Sequence, residues 1–475
     1  MKSLIEDLHK NNSKVNLEKI HNDVVNNNKL YNSFVTICDD YKLNDKNNIL
    51  NNICYAMKDN ISTKGILTTA SSNTLKDYIP PYNATVYQRL LNSGAIMVGK
   101  TSMDEFGMGG KGITAHTGIV KNPFDTTRSP GGSSAGSAVA VASNLVPFAI
   151  GSDTGDSVRK PAAYCGIVGY KPTYGMISRY GLLPFASSLD HIGVLTKYVK
   201  DAAIVVDEIK GRDIHDMTSI DSSSINLVKN LDMMKGKKTK LFYIKEIVDP
   251  SISDDKEYQE MLKSFNKSIE CAKNLGMEVY EESISKDLLS LLSVSYTCIS
   301  ASEATSNMSN LTGIIFGPRG EGNDVNEMMI DYRTKGFSPL IKRRFVIGSY
   351  VLQKENQEKY LNNAKRIRAK IVGILRELFK KYDALILPAS KGIAPKITEV
   401  SDSFTNSVFD IIENHMVMGN FGGMPSITIP SDYIDNMPIG INLTSDIYQD
   451  EKLLSIAGLL EDEIKFDEKR DKNGI

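Results

Sequence analysis

Between Ile53 and Thr196 the chain alternates short apolar runs with turns rich in Gly, Ser and Pro, and carries one helix of small residues. This stretch constrains the fold more than any other. The runs AIMV, LVPFAI and GIVGY have the length and composition of buried strands. The turns between them are punctuated by glycine and proline. Strands interleaved with helices in this way predict an α/β architecture, with chemistry concentrated where strands end in Gly-rich turns.

The flanks read differently. Residues 1 to about 50 are rich in Asn and Lys, and apolar positions at helical spacing (Leu4, Leu8, Val24, Val25, Leu30, Phe34) predict short peripheral helices. After a polar stretch from Gly211 to Ser224, the strand LFYIKEIV, an amphipathic helix near Asp254 to Leu275 and the strand MEVYEESI predict a β-α-β excursion over 211–285. From 340 to 475 come a long charged helical stretch near Ser349 to Tyr382, the strand ALILPAS, and Asn420 to Ser445, read as strands returning to the same sheet. Length alone, at 475 residues, does not decide the domain count. The expectation is one domain spanning 1–475, with a core at 53–196.

Charge and cysteine usage remove several function classes. Lys and Arg number 56 against 57 Asp and Glu, which excludes the chain-wide basic field of a protein that holds nucleic acid unaided. Five cysteines (Cys38, Cys54, Cys165, Cys271, Cys298) form no C-x-x-C pair and no zinc-ligand cluster, so no bound metal is expected and the thiols are read as reduced. The first residues fit neither a signal nor a transit peptide, and no apolar run is long enough to span a bilayer. A cytoplasmic protein without membrane contact is expected.

Two motifs match letter for letter and are rejected on context. Gly94 to Thr101 (GAIMVGKT) fits the phosphate-loop pattern, but Ala95 to Val98 is a strand-like apolar run, not a pliable loop able to turn its amides toward an anion. Gly132 to Gly136 fits G-x-S-x-G, which would make Ser134 a nucleophile. That elbow needs an apolar strand before it, whereas Arg128-Ser129-Pro130-Gly131 precedes, and none of His191, His215 and His415 sits in a recognisable loop motif.

Three segments survive: Ile53 to Asn60 (ICYAMKDN), Ser129 to Ser143 (SPGGSSAGSAVAVAS) and Gly151 to Thr173. Lys58 follows a strand-like run, so its amine can be directed into a confined site where desolvation makes it a neutral base. Ser133 opens a small-residue helix, where its hydroxyl can relay a proton. Ser157 follows the tight turn Asp153-Thr154-Gly155-Asp156, whose successive amides can point at one oxygen and stabilise a tetrahedral oxyanion. Ser157 is therefore the expected nucleophile.

In this order and spacing the residues resemble the amidase signature family, and within it the glutamine-hydrolysing subunits of tRNA-dependent amidotransferases. Further matches are KTSMDEFGMG (Lys100 to Gly109), SRYGLLPFASSLDHIGVLT (Ser178 to Thr196), SASEATSN (Ser300 to Asn307) and IKRRFVIGSY (Ile341 to Tyr350). The resemblance implies an amidase-signature fold, one large mixed β-sheet covered by helices on both faces. It implies Ser157 as the acylated nucleophile, Ser133 as a bridging serine in a cis-like conformation, and Lys58 as the base. The amides of Thr154, Gly155, Asp156 and Ser157 would form the oxyanion hole. Tyr296, Arg344, Glu413 and Asp153 would bind glutamine, with Arg344 on its α-carboxylate, and Glu105 would stand near the mouth of an ammonia tunnel. No cofactor would be held by this chain. A kinase-like partner subunit would use ATP and Mg²⁺ and hold most of the charged tRNA, and a small third subunit would complete the complex.

The sequence departs from the family pattern in three places. Asp156 and Lys160 replace a Gly and a Gln around the nucleophile. A carboxylate there opposes a developing oxyanion, and an ion pair from Asp156 to Lys160 would turn it away. Glu413 stands where the family has an Asp for the α-amino group, with Asp410 as a substitute, and Met108 to Gly118 replaces a polar stretch at the tunnel entrance. A stand-alone amidase and a catalytically impaired scaffold are the alternative readings.

Overall fold

The computed structural model describes residues 1–10, 15–400 and 411–472. Its strands, in chain order, are β1 (Phe34–Ile37), β2 (Cys54–Lys58), β3 (Ile96–Thr101), β4 (Phe148–Asp153), β5 (Val168–Lys171) and β6 (His191–Thr196). They are followed by β7 (Lys240–Ile244), β8 (Glu278–Glu282), β9 (Ala384–Pro388), β10 (Ser426–Ile434) and β11 (Met437–Thr444). All join one 11-stranded sheet in the order β1-β3-β2-β4-β6-β5-β10-β11-β9-β7-β8. Pairing is mixed: β3, β2 and β4 run parallel, as do β8, β7 and β9, while the centre of the sheet is antiparallel. The α/β class and the large mixed sheet agree with the sequence expectation.

Every residue of β2, β3, β4, β5, β6 and β9 is buried, as in a sheet covered on both faces. Alternation along β2 divides the two cores. Tyr55 and Met57 pack in the cluster that includes the helix Val199–Ile209, whereas Cys54 and Ala56 pack with the small-residue helix Ala135–Ala142. That second helix is buried on every residue, which only small side chains permit.

The phosphate-loop look-alike is β3, with all six strand residues buried and Lys100 donating to the Ile61 carbonyl at 2.6 Å. Within 211–285, β7 and β8 flank the helix Lys256–Asn274 as a parallel β-α-β unit. Two details differ from the sequence reading. The N-terminal helix Leu17–Tyr31 stops at Asn32, which adopts a left-handed conformation (φ 54°), and Phe34 then opens an edge strand instead of continuing the helix. The charged helical stretch after residue 340 breaks at Gln353, whose extended backbone separates the helices Pro339–Leu352 and Asn363–Phe379.

The sheet sets the site through two neighbouring parallel strands. β2 ends at Lys58 and β4 ends at Asp153, so the residues that follow both strands meet at the same carboxyl edge.

Candidate active site

Lys58 is the last residue of β2, one position earlier relative to the strand end than the sequence predicts, and is fully buried. Its Nζ lies 2.7 Å from Ser133 Oγ, 2.8 Å from Ser134 Oγ and 3.0 Å from the Ser152 carbonyl. Burial pushes the ammonium down to about 7, although the carboxylates of Asp104, Asp153, Asp190 and Asp156 pull the other way. A neutral amine has two N–H donors and one lone pair. The Ser152 carbonyl can only accept, so it takes one N–H. Ser134 Oγ commits its own proton to the same carbonyl at 3.1 Å and must accept the other. The lone pair is left facing Ser133, whose hydroxyl then donates to Lys58. The Gly132–Ser133 peptide bond is cis.

Ser157 sits in the turn after β4, one residue short of the cap of the helix Arg159–Tyr164. Its carbonyl accepts from Ser134 N at 3.1 Å, tying the two serine segments together. Its Oγ makes no hydrogen bond among the described residues. The backbone amides of Thr154, Gly155, Asp156 and Ser157 likewise donate to no acceptor among the described residues, leaving a run of unspent N–H groups beside the hydroxyl. Arg159 holds this turn in shape. Its guanidinium donates to Asp153 Oδ1 and Oδ2 at 2.9 and 3.1 Å, to the Gly155 carbonyl at 2.6 Å and to Asn420 Oδ1 at 2.6 Å. Burial opposes the charge on Asp153, but Arg159 outweighs it and holds the carboxyl well below the usual range.

A cavity of about 240 Å³ opens in front of Ser157. Of the residues expected at the site, Gly155, Asp156, Ser157, Tyr296, Arg344 and Glu413 line it. Lys58 and Ser133 lie behind the wall. Tyr296 packs against Gly155 so closely that a Cβ there would meet its ring and hydroxyl at 3.2 Å. Arg344 is partly buried, with its guanidinium 5.4 Å from the Phe185 ring centroid. Lys160 Nζ binds Asp156 Oδ2 at 3.1 Å and Glu413 Oε2 at 2.9 Å, so the ion pair expected from the sequence is present and has a second arm. Burial raises Asp156 despite Lys160. Burial would lower Lys160, yet Glu413 and Asp156 hold it above its usual value.

Three expected residues stand away from the cavity. Asp153 is fully buried, its carboxylate taken by Arg159, Val158 N and Asn420, so the structure gives it the nucleophile turn to hold instead of a face toward substrate. Thr154 Oγ1 donates to Asp190 at 2.7 Å, leaving only its amide toward the site. Glu105 accepts from Ser72 Oγ at 2.5 Å and Ser338 N at 3.1 Å, and burial raises its carboxyl. Asp410 lies outside the described residues. His191 and His415 are buried with Nδ1 on the Leu189 and Ile412 carbonyls, and His215 stacks on Tyr180, so none of these three serves Ser134.

Sequence reasoning missed Asp104. Its two carboxylate oxygens accept from the amides of Lys111, Gly112, Ile113 and Thr114 and from Thr114 Oγ1, at 2.9 to 3.2 Å. This folds the segment after Met108 into one wall of the cavity. A Cβ at Gly132 would collide with Asp104 Oδ2, which explains the second glycine before Ser133. Ser134 was considered only as a nucleophile, whereas it orients Lys58. Arg159 and Asn420 carried no local signal beyond Arg159's place two residues after Ser157.

Comparison with known proteins gives a consistent result. The family profile described as Amidase matches residues 26–454. The chain is 42% identical over 421 residues to the A-subunit of glutamyl-tRNA(Gln) amidotransferase from Mycoplasma pneumoniae, covering 87% of this chain and 86% of the relative. It is 39% identical to the protein of the same name from Alkaliphilus metalliredigens, covering 91% and 89%. The crystal structure of the corresponding glutamyl-tRNA(Gln) amidotransferase A-subunit from Thermotoga maritima superposes with a TM-score of 0.80 at 33% identity, over 97% of this chain and 94% of that one. With the profile spanning most of its length and relatives of this similarity, the chain belongs to the amidase family.

Proposed function

We propose that this chain is the glutamine-hydrolysing subunit of a tRNA-dependent amidotransferase, supplying ammonia for the conversion of Glu-tRNA(Gln) or Asp-tRNA(Asn) to the amidated product. The observation that carries the chemistry is the buried amine of Lys58, 2.7 Å from Ser133 Oγ, whose ammonium burial brings down to about 7 so that a neutral base is available near neutrality. The names of the relatives support the choice of substrate and pathway.

In this reading Lys58 accepts the Ser133 proton as Ser133 accepts the Ser157 proton, and Ser157 Oγ forms a bond to the side-chain amide carbon of glutamine. The relay requires Ser157 Oγ, which makes no hydrogen bond among the described residues, to turn onto Ser133. The unspent amides of residues 154–157 stabilise the resulting oxyanion. Collapse breaks the C–N bond, and the proton held on Lys58 returns through Ser133 to the departing ammonia. Water then attacks the glutamyl ester with Lys58 again as base, releasing glutamate. Arg344 pairs with the substrate α-carboxylate, Tyr296 packs along its side chain, and Glu105 borders the ammonia route. Ammonia passes to a kinase-like partner that activates charged tRNA with ATP and Mg²⁺, and a small third subunit completes the assembly.

The test is glutamine-dependent amidation of charged tRNA by this chain reconstituted with its partner subunits. The wild type is expected to convert the tRNA, and Ser157→Ala to do so only when free ammonia is added. A wild type that needs free ammonia, or a Ser157→Ala variant that still uses glutamine, would exclude the proposal.

A further inference from the structure

A zwitterionic amino acid brings two charges into the cavity, and Arg344 answers one of them. The other, the α-ammonium, needs a carboxylate with an oxygen to spare. Among the described residues three carboxylates line the cavity: Asp104, Asp156 and Glu413. Asp104 spends both oxygens on the amides of residues 111–114. Glu413 places Oε2 on Lys160 at 2.9 Å and accepts the Lys391 amide on Oε1 at 3.3 Å. Asp156 gives Oδ2 to Lys160 at 3.1 Å, while Oδ1 has no hydrogen bond among the described residues. Its side chain is also the more exposed, at 24% against 17% for Glu413.

Resting on the glutaminase reading, we infer that Asp156 is the specificity-determining residue that accepts the substrate α-ammonium, the part first expected of Glu413. Lys160 is the positioning residue. It donates to the Glu413 carbonyl at 2.8 Å as well as to both carboxylates, so it fixes Asp156 against the helix Ile411–Asn414. Two carboxylates around one ammonium leave one net negative charge on this wall, complementary to the incoming cation. The substitution that looked harmful to an oxyanion thus has a use: Lys160 draws Oδ2 aside, and Oδ1 remains for substrate.

The experiment compares glutamine with 4-carbamoylbutanoate, which has the same amide and terminal carboxylate but no α-amino group, on the full-length chain in its complex. Asp156→Asn should raise KM for glutamine about 10- to 100-fold, the loss of one charge-assisted contact. The loss on the desamino compound should be at least about tenfold smaller than the loss on glutamine, so that the readout is the ratio between the two compounds and not the turnover of either alone. If Asp156→Asn does not fold, Asp156→Gly, which removes the carboxylate altogether, is read in the same way. An unchanged preference for glutamine, or equal losses on both compounds, would overturn the assignment while leaving the glutaminase reading in place. A wild type that hydrolyses no glutamine would remove both.

Discussion

At the scale of single residues, the proposed mechanism depends on the protonation of Lys58. Its folded value of about 7 lies far below the ordinary 10.5, because burial removes the hydration that a charged ammonium needs. With the amine as the proposed base, activity is present above this value and lost below it. We expect kcat/KM for glutamine to rise about tenfold per pH unit below 7 and to level off above, read from a pH–rate profile. The linkage runs the same way: the unfolded chain binds the Lys58 proton more tightly, so this residue costs stability at low pH and less as pH climbs from 7 toward 10.5. Ser134→Ala should lower kcat about tenfold with little change in KM, since it frees an N–H of Lys58 without removing Ser133, whereas Ser133→Ala should cost far more. Lys160 is 8% exposed between two carboxylates. Lys160→Ala should destabilise the fold by about 3 kcal/mol in chemical denaturation, since it leaves Asp156 and Glu413 facing one another unpaired. The placement of Lys58, Ser133 and Ser157 was legible because each is a lone side chain at the end of a strand or Gly-rich turn. Asp104 was not, because its partners are backbone amides from seven to ten residues downstream and amides leave no signature in the sequence.

At the scale of elements, the site consists of two turns held from behind. The turn of residues 153–157 is held by Arg159, whose contacts to Asp153, Gly155, Asn420 and the Met416 carbonyl need a planar, forked cation. Arg159→Lys keeps the charge and loses the fork. We expect a fall in kcat of about 100-fold and a lower Tm, the first from amides no longer aimed at the oxyanion, measured by steady-state kinetics and calorimetry. Strands β2, β3 and β4 and the small-residue helix could be read from their apolar and small-residue runs, and the β-α-β unit from its periodicity. Edge strand β1 could not, because at four residues, only one of them fully buried, it carries too little pattern to compete with the helical spacing before it.

At the scale of the whole molecule, the sheet is completed by chain that is remote in sequence. β10 and β11 lie between β5, from the core segment, and β9, which carries β7 and β8 beyond it. Truncation after residue 400 would therefore cut the sheet at its middle and expose β5 and β9 as unpaired edges. We expect such a fragment to lack a cooperative thermal transition by circular dichroism. Sequence reading placed the last strands in the same sheet but could not give their order, since pairing between Val168–Lys171 and Ser426–Thr428 is set by tertiary packing and not by any local pattern. In the proposed mechanism this architecture serves one event, the activation of Ser157 by the neutral amine of Lys58 through Ser133. Intact-mass and peptide mass spectrometry after treatment with a glutamine-like electrophile tests it most directly. The expected result is one adduct per chain on Ser157, absent in Ser157→Ala and formed at least about 100-fold more slowly in Lys58→Met. Labelling of another residue, or labelling of Ser157 at the wild-type rate in Lys58→Met, would contradict it.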